Sequence, residues 1–199
     1  MRDLMLILIA YFLGNFSTSF IVGKIYGRID IRKHGSGNAG TTNVYRTLGA
    51  KAGALALIGD ALKGVLAVYI GQRYGGTNLA LLCGAAAIIG HNWPVILKFK
   101  GGKGIATSIG VVFMVQPLSA TICIAFGLVI LFKFKYVSLA SVSAISILPI
   151  ILYFYGRNYF IFGLVLAIMA VYRHRANIQR LLKGTENKIT AGSKMKGGL

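Results

Sequence analysis

Leu4-Met5-Leu6-Ile7-Leu8-Ile9-Ala10 decides the fold class. Seven apolar residues in succession lack the period-two alternation of a transmembrane β-strand, and they open a run long enough to cross a hydrocarbon core of roughly 30 Å as a helix. Similar runs recur along the 199 residues, of which 56% are hydrophobic and only 13% charged, with a mean hydropathy of +0.70. A soluble domain carries about a quarter charged residues. The chain therefore reads as an all-α integral membrane protein.

Helices are expected at 4–23, 52–71, 79–97, 105–115, 118–132, 138–154 and 158–172, about seven spans in one transmembrane domain covering 1–190. The fourth and fifth are separated at Gln116-Pro117, because proline removes a backbone donor and disfavours helix before it. One long kinked helix is the alternative. Residues 1–21 resemble a signal peptide but lack a clean small-x-small cleavage site, and are read as a retained first helix. After Tyr172 the chain turns polar and basic. Its first part continues as a helix with His174, Asn177 and Leu181 on one face, and 191–199 is expected to be a disordered basic tail.

The formal net charge is +18, from 22 basic and 4 acidic residues. Segments 24–51, 98–104, 133–137 and 173–199 carry 18 of the lysines and arginines, while the opposite set of ends and turns carries Arg2, Arg73 and Arg157. The positive-inside rule places the N-terminus outside and the C-terminus in the cytoplasm. Such charge also favours anionic lipid. Nucleic acid, the other partner of basic proteins, is not expected in so hydrophobic a chain. Cys83 and Cys123 lie in apolar spans and read as packing residues, with no disulfide framework, metal site or cofactor indicated.

Two polar stretches interrupt the apolar pattern on the basic side. One is Gly35-Ser36-Gly37-Asn38-Ala39-Gly40-Thr41-Thr42-Asn43 followed by Arg46; the other is Lys98-Phe99-Lys100-Gly101-Gly102-Lys103-Gly104. Glycine lets backbone N–H groups converge on an anion, hydroxyls and amides add neutral donors, and Arg46 offers a planar fork to a phosphate. The stretch around Lys103 is no P-loop, since Leu97 stands where the first glycine belongs and Gly104 follows the lysine. Close packing of glycine-rich loops, with lysines on lipid headgroups, is the competing explanation. His91-Asn92 ends an apolar run and needs a cavity or a partner. Asp60 and Lys63, spaced i, i+3, most simply pair with each other inside the bundle. None of His34, His91 and His174 has an aspartate five positions on, and no cysteine lies in either loop. Any acyl transfer is then direct, with His91 or the substrate's own phosphate as base.

These stretches resemble the signatures of the bacterial PlsY family of membrane glycerol-3-phosphate acyltransferases. The likeness extends to Gly90-His91 with Pro94, to Phe99 through Thr107, to Tyr136 through Ser141, and to Tyr172 through Ile178 with Gly184-Thr185-Glu186. The resemblance implies that an acyl group passes from acyl phosphate to glycerol 3-phosphate, giving 1-acyl-glycerol 3-phosphate and phosphate. This is an early step of phospholipid biosynthesis at the bacterial plasma (inner) membrane, with the active site facing the cytoplasm. A partner enzyme that supplies acyl phosphate is implied as well. The resemblance implies a catalytic set of His91, Ser36, Asn38, Lys103 and Asn177. The implied substrate-binding set is Gly37, Thr41, Asn43, Arg46, Lys100, Gly101, Gly102 and His174. An anion transporter and a lipid-binding scaffold are the alternatives. The transporter is expected to carry basic residues at mid-bilayer, and the scaffold leaves the hydroxyl-rich loop unexplained.

Orientation is testable by labelling. A cysteine at Arg157 should react with an impermeant reagent from outside, and cysteines at Lys51 and Lys135 only after permeabilisation. Reaction of Lys51→Cys and Lys135→Cys from opposite sides would separate the two polar loops.

Overall fold

The computed structural model describes residues 1–189; the tail expected at 191–199 lies outside the described residues. Among these, every regular element is helical: α1 (Arg2–Asn15), α2 (Thr18–Tyr26), α3 (Thr41–Leu48), α4 (Ala50–Asn92), α5 (Ile105–Val115), α6 (Pro117–Phe134), α7 (Val137–Tyr153), α8 (Arg157–Arg173) and α9 (Arg175–Leu182). Single 3-10 turns stand at Ile31–Lys33 and Val95–Leu97. Three segments, Arg2–Tyr26, Ala50–Leu97 and Pro117–Phe134, are long and apolar enough to cross a membrane. The α8–α9 pair, bent by 62°, makes a fourth if counted as one span.

Most expected spans stand within a few residues of their places, and α5 and α6 are separate helices divided at Gln116. The expected spans at 52–71 and 79–97 become the two arms of α4, a helical hairpin folded at Gly76. The backbone there takes φ 68°, ψ −165°, which a residue with a Cβ rarely adopts. Lys63 meets His91 across the hairpin, and Gly71 meets Ala80 so closely that a Cβ on Gly71 would lie 2.6 Å from Ala80 Cα. The second arm stops at Asn92 rather than 97, because Pro94 cannot continue the helical hydrogen bonding.

Two expectations change. The first span is not one helix over 4–23 but α1 and α2, broken at Phe16-Ser17. The segment read as loop from 24 to 51 contains α3, whose Val44 is buried with Val22, Ile31, Ala39, Ala52 and Ala56 under the glycine-rich turn. This small apolar cluster fixes the turn against the first arm of α4.

Packing elsewhere runs through small residues. Gly14 of α1 sits on Ala87, and Gly110 of α5 on Ala61, so helix backbones approach closely without a driving force from water. The largest core joins Val68, Leu81, Ile88, Val111, Ile145, Leu148, Leu152, Phe162 and Leu166, which ties α5, α7 and α8 to the hairpin. Gly71→Leu should force the arms apart and lower the melting temperature of the detergent-solubilised protein, consistent with the ~1–3 kcal/mol that overpacking costs. An unchanged melting temperature would show that the hairpin yields at this contact.

Candidate active site

The polar loops meet at one end of the bundle. Loop one is ordered by Asn43, 2% exposed, whose side-chain amide donates toward the carbonyls of Ile31 (3.0 Å), His34 (2.9 Å) and Asn38 (3.1 Å). Its Oδ1 accepts from Ser36 N at 2.9 Å. Asn43 is thereby fully engaged in holding the turn. Arg32 reaches across to loop two, donating to Leu97 O at 3.3 Å while pairing with Asp30 at 2.8 Å. That contact holds the Asp30 carboxyl down at about 2, chiefly through the hydrogen bond from Arg32 and against the opposing effect of burial.

Loop two is held from α8. Arg173 donates to Gly102 O at 2.6 and 3.0 Å and to Gly101 O at 3.2 Å, with its guanidinium 5.3 Å from the Trp93 ring centre. Gly102 N donates to His91 O at 3.1 Å. Lys98 and Phe99 both take left-handed backbone angles, φ 54° and 61°, a strained turn closed by Phe99 N donating to Pro94 O at 2.8 Å.

Between the loops opens a cavity of about 770 Å³ with two zones. The polar zone is bordered by Ser36, Asn38, Thr41, Asn43, Arg46, His91, Lys103, His174 and Asn177, so nine of the thirteen residues singled out in the sequence converge here. Gly37, Lys100, Gly101 and Gly102 are not on its wall. Gly101 and Gly102 shape loop two through the Arg173 contacts, and Lys100 is exposed. The apolar zone continues between α5, α6 and α7 past Ile109, Val112, Ile124, Leu128, Ala144 and Leu148.

Two helix N-termini contribute to the polar zone, α3 through Thr41 and Thr42 and α5 through Lys103-Gly104-Ile105. The first-turn amides of a helix lack intrahelical acceptors and carry its positive dipole end, which suits an anion. The Thr41 hydroxyl is buried without a partner among the described residues.

Several contributors stand outside the thirteen residues singled out in the sequence. Glu186, nearly buried, accepts from Asn177 Nδ2 at 2.7 Å, Ser138 Oγ at 2.8 Å and Arg180 Nε at 2.7 Å. Burial alone would raise its pKa; the hydrogen bonds from Asn177, Ser138 and Arg180 reverse that and leave it lowered. Asn177 in turn accepts from Lys103 Nζ, a chain from Glu186 to the lysine. Arg46 donates to Asn187 O at 3.0 Å, and Ile189 N donates to Lys135 O at 2.7 Å, so residues 186–189 lie along the mouth of the cavity. With four acidic residues in the whole chain, the isolated Glu186 and Asp60 were the signal available. His174 Nδ1 lies 2.8 Å from Ala170 O, which can only accept, so Nδ1 carries a proton.

The chain matches the family model described as glycerol-3-phosphate acyltransferase over residues 4–184. A glycerol-3-phosphate acyltransferase of Alkaliphilus metalliredigens (strain QYMF) is 62% identical over 189 residues, 95% of this chain and 97% of that one. One from Thermoanaerobacter pseudethanolicus is 48% identical over 191 residues, 95% and 96% of the two chains. The crystal structure of PlsY (YgiH), an integral membrane glycerol 3-phosphate acyltransferase, in its glycerol 3-phosphate form is similar with a TM-score of 0.91. The sequences are 39% identical, and the match covers 96% of each chain. The lysophosphatidic acid form of PlsY gives 0.89 at 38% identity over 97% of each. The chain belongs to the glycerol-3-phosphate acyltransferase family, whose place is in phospholipid biosynthesis. With its apolar helices it is a multi-pass membrane protein.

Burial pulls Lys103 down to about 8, helped by Arg180, Arg173 and Arg46 and opposed by Glu186. Its charge is present below that pH and lost above it. For a phosphate substrate, kcat/KM should therefore fall as pH rises through about 8, while kcat holds further because a bound dianion stabilises the ammonium. Lys103→Arg should move the alkaline limb to higher pH. An unmoved limb in that variant would assign it to another group.

Proposed function

We propose that this protein transfers an acyl group from acyl phosphate to glycerol 3-phosphate, releasing 1-acyl-glycerol 3-phosphate and inorganic phosphate. The observation that carries the reading is the two-zone cavity, in which a cationic, amide-rich end continues into an apolar trough. Both substrates are phosphate esters or anhydrides, and one bears a hydrocarbon chain. The phosphates suit Arg46, Lys103 and the two helix N-termini, and the chain suits the trough between α5, α6 and α7. The relatives' name and the glycerol 3-phosphate and lysophosphatidic acid forms of PlsY support the acceptor and product.

Transfer is direct. The acceptor hydroxyl attacks the acyl carbonyl carbon, the bond from that carbon to the phosphate oxygen breaks, and inorganic phosphate leaves with the bonding pair. The mixed anhydride is already activated, so no covalent enzyme intermediate is required. The side chains bordering the cavity fit this course: Asp60 and Glu186 are committed to hydrogen bonds, and Cys123 lies in the apolar zone away from the cations. Arg46 grips a phosphate with its fork, Lys103 supplies a charge aimed by Asn177, and Ser36, Asn38 and Thr41 offer neutral donors. The hydroxyl's proton passes to the substrate's own phosphate. Asn43 orders loop one. Gly37, Gly101 and Gly102 shape the loops, and Lys100 faces lipid headgroups.

Seven spans, counting each arm of α4 and each of α1–α2, α5, α6, α7 and α8–α9, leave the termini on opposite sides, and the excess of Lys and Arg on the loop side supports an N-terminus outside and this cavity on the cytoplasmic face of the bacterial inner membrane. Residues 1–190 then form one transmembrane domain, fed by an enzyme that makes acyl phosphate.

Phosphate release from synthetic acyl phosphate by purified protein tests the proposal. Release should depend on glycerol 3-phosphate and match the acylated product one to one, and acyl-coenzyme A should not substitute. Turnover with acyl-coenzyme A at a comparable rate would overturn the donor assignment.

A further inference from the structure

Asp60 and Lys63 lie within an apolar helix, 0% and 6% exposed, and the chemistry above gives them no part. Ionisable residues at such a position are costly unless they serve the site. We propose that Lys63, held by Asp60, is a positioning residue that keeps His91 neutral with its proton on Nε2, so that His91 acts as a hydrogen-bond donor and not as a base. The proposal rests on the placing of His91 at the acyl-transfer cavity.

Lys63 Nζ lies 2.8 Å from Asp60 Oδ1, 2.8 Å from Phe16 O, 3.0 Å from Gly14 O and 2.9 Å from His91 Nδ1. The three oxygens are pure acceptors, so the amine is an ammonium sharing three protons among four neighbours. An ammonium has no lone pair to offer. A ring nitrogen 2.9 Å from it must present its own lone pair, because an N–H there would set hydrogen against hydrogen. Nδ1 is therefore unprotonated. Asp60 does not compete for a proton on Nδ1. It is 3.5 Å away, and its oxygens already accept from Thr18 N (3.2 Å), Ser19 Oγ (3.0 Å) and Lys63.

The neutral ring then carries its proton on Nε2. An imidazolium is excluded by the same contact, since it would place a second cation's N–H against the ammonium. Nε2 is turned to loop two, where it lies over Gly102 so closely that any side chain there would collide with it. His91 is also one of the residues that border the cavity. A donor so placed suits a phosphate oxygen or the oxygen of the acyl carbonyl as charge develops on it.

The test reads the nitrogen directly. In protein labelled with ¹⁵N-histidine and held in lipid nanodiscs, His91 is assigned by the signals lost in His91→Gln. It should show a pyrrole-type Nε2 and a pyridine-type Nδ1. The reversed pattern, or an imidazolium, overturns the proposal. The spectrum is taken without substrates, so it stands apart from the identity of the acyl donor. In kinetics, His91→Ala should lower kcat ~10²–10³-fold, as removal of one oxyanion donor does. His91→Gln, which can donate but not serve as base, should keep on the order of tenfold more of it. Equal loss in both variants counts against the donor role. The charge-neutral pair Asp60→Asn with Lys63→Met, folded by its melting curve, should mix the His91 tautomers and lower kcat with KM for glycerol 3-phosphate nearly kept. Unchanged nitrogen signals and kcat in that variant would dismiss Lys63. If it does not fold, the wild-type spectrum and the His91→Gln comparison decide.

Discussion

A charge inside an apolar bundle must be answered by other polar groups, and here one pair of charges answers a broken helix. Where α1 ends, the carbonyls of Gly14 and Phe16 have no helical donors, and where α2 begins, Thr18 N has no acceptor. Lys63 donates to both carbonyls, and Asp60 accepts from Thr18 N and from Ser19 Oγ. The cation stands at a helix C-terminus and the carboxylate at a helix N-terminus, each favoured there by the helix dipole. The break thus accommodates the ion pair and the ion pair makes the break tolerable. Neither is stable alone in a membrane interior. With His91 added across the α4 hairpin, α1, α2 and both arms of α4 meet at one ion pair, which borders the cavity through Asp60 and His91.

From that anchor outward, the site is assembled by cations acting on carbonyls. Arg32 ties loop one to Leu97 at the start of loop two, and Arg173 ties Gly101 and Gly102 to α8. An arginine fork can hold two oxygens at once and keeps its charge under nearly all conditions, which suits it to pinning glycine-rich backbone. The loops then need no sheet or disulfide to keep their shape. Their polar and basic side chains, Ser36, Asn38, Thr41, Arg46 and Lys103 among them, border the cavity, where an anion is the natural occupant.

What the sequence made legible follows from how local each feature is. Spans at 105–115 and 118–132, and the turn between the arms of α4, are written in short apolar runs and in Gln116-Pro117 or nearby glycines, so they could be read directly. Nine of the residues singled out border one cavity because the loops concentrate glycine, hydroxyl and basic side chains at two places. The break at Phe16-Ser17 was hidden because its cause lies more than 40 residues away in Asp60 and Lys63. The pair itself was visible at i, i+3, but not its third member: His91 is 28 residues on and joins only when the hairpin closes. α3 was hidden among glycines, and its buried Val44 makes sense only against Ala52 and Ala56. Asn43 is named among the substrate-binding residues by the resemblance, and what the sequence does not show is that its amide donates toward three backbone carbonyls of its own loop.

The basic residues also divide into kinds that composition alone cannot separate. Some are pins, as Arg32 and Arg173 are, with donors on backbone or carboxylate oxygens, and as Lys63 is, which joins such oxygens to His91. Others border the cavity, as Arg46, Lys103 and Arg180 do. The rest, such as Lys98, Lys100 and Lys183, are exposed at the loops and suit an anionic surface. Only the second kind can answer a substrate's charge, and there the acid count matters. Glu186 sits behind Asn177 and Arg180 rather than beside the cavity's lysine, so it orders Lys103 through a neutral amide. A carboxylate in direct contact would neutralise the lysine and repel a phosphate. An asparagine between them passes on orientation and keeps the carboxylate out of direct contact with the lysine, whose charge Glu186 supports from a distance.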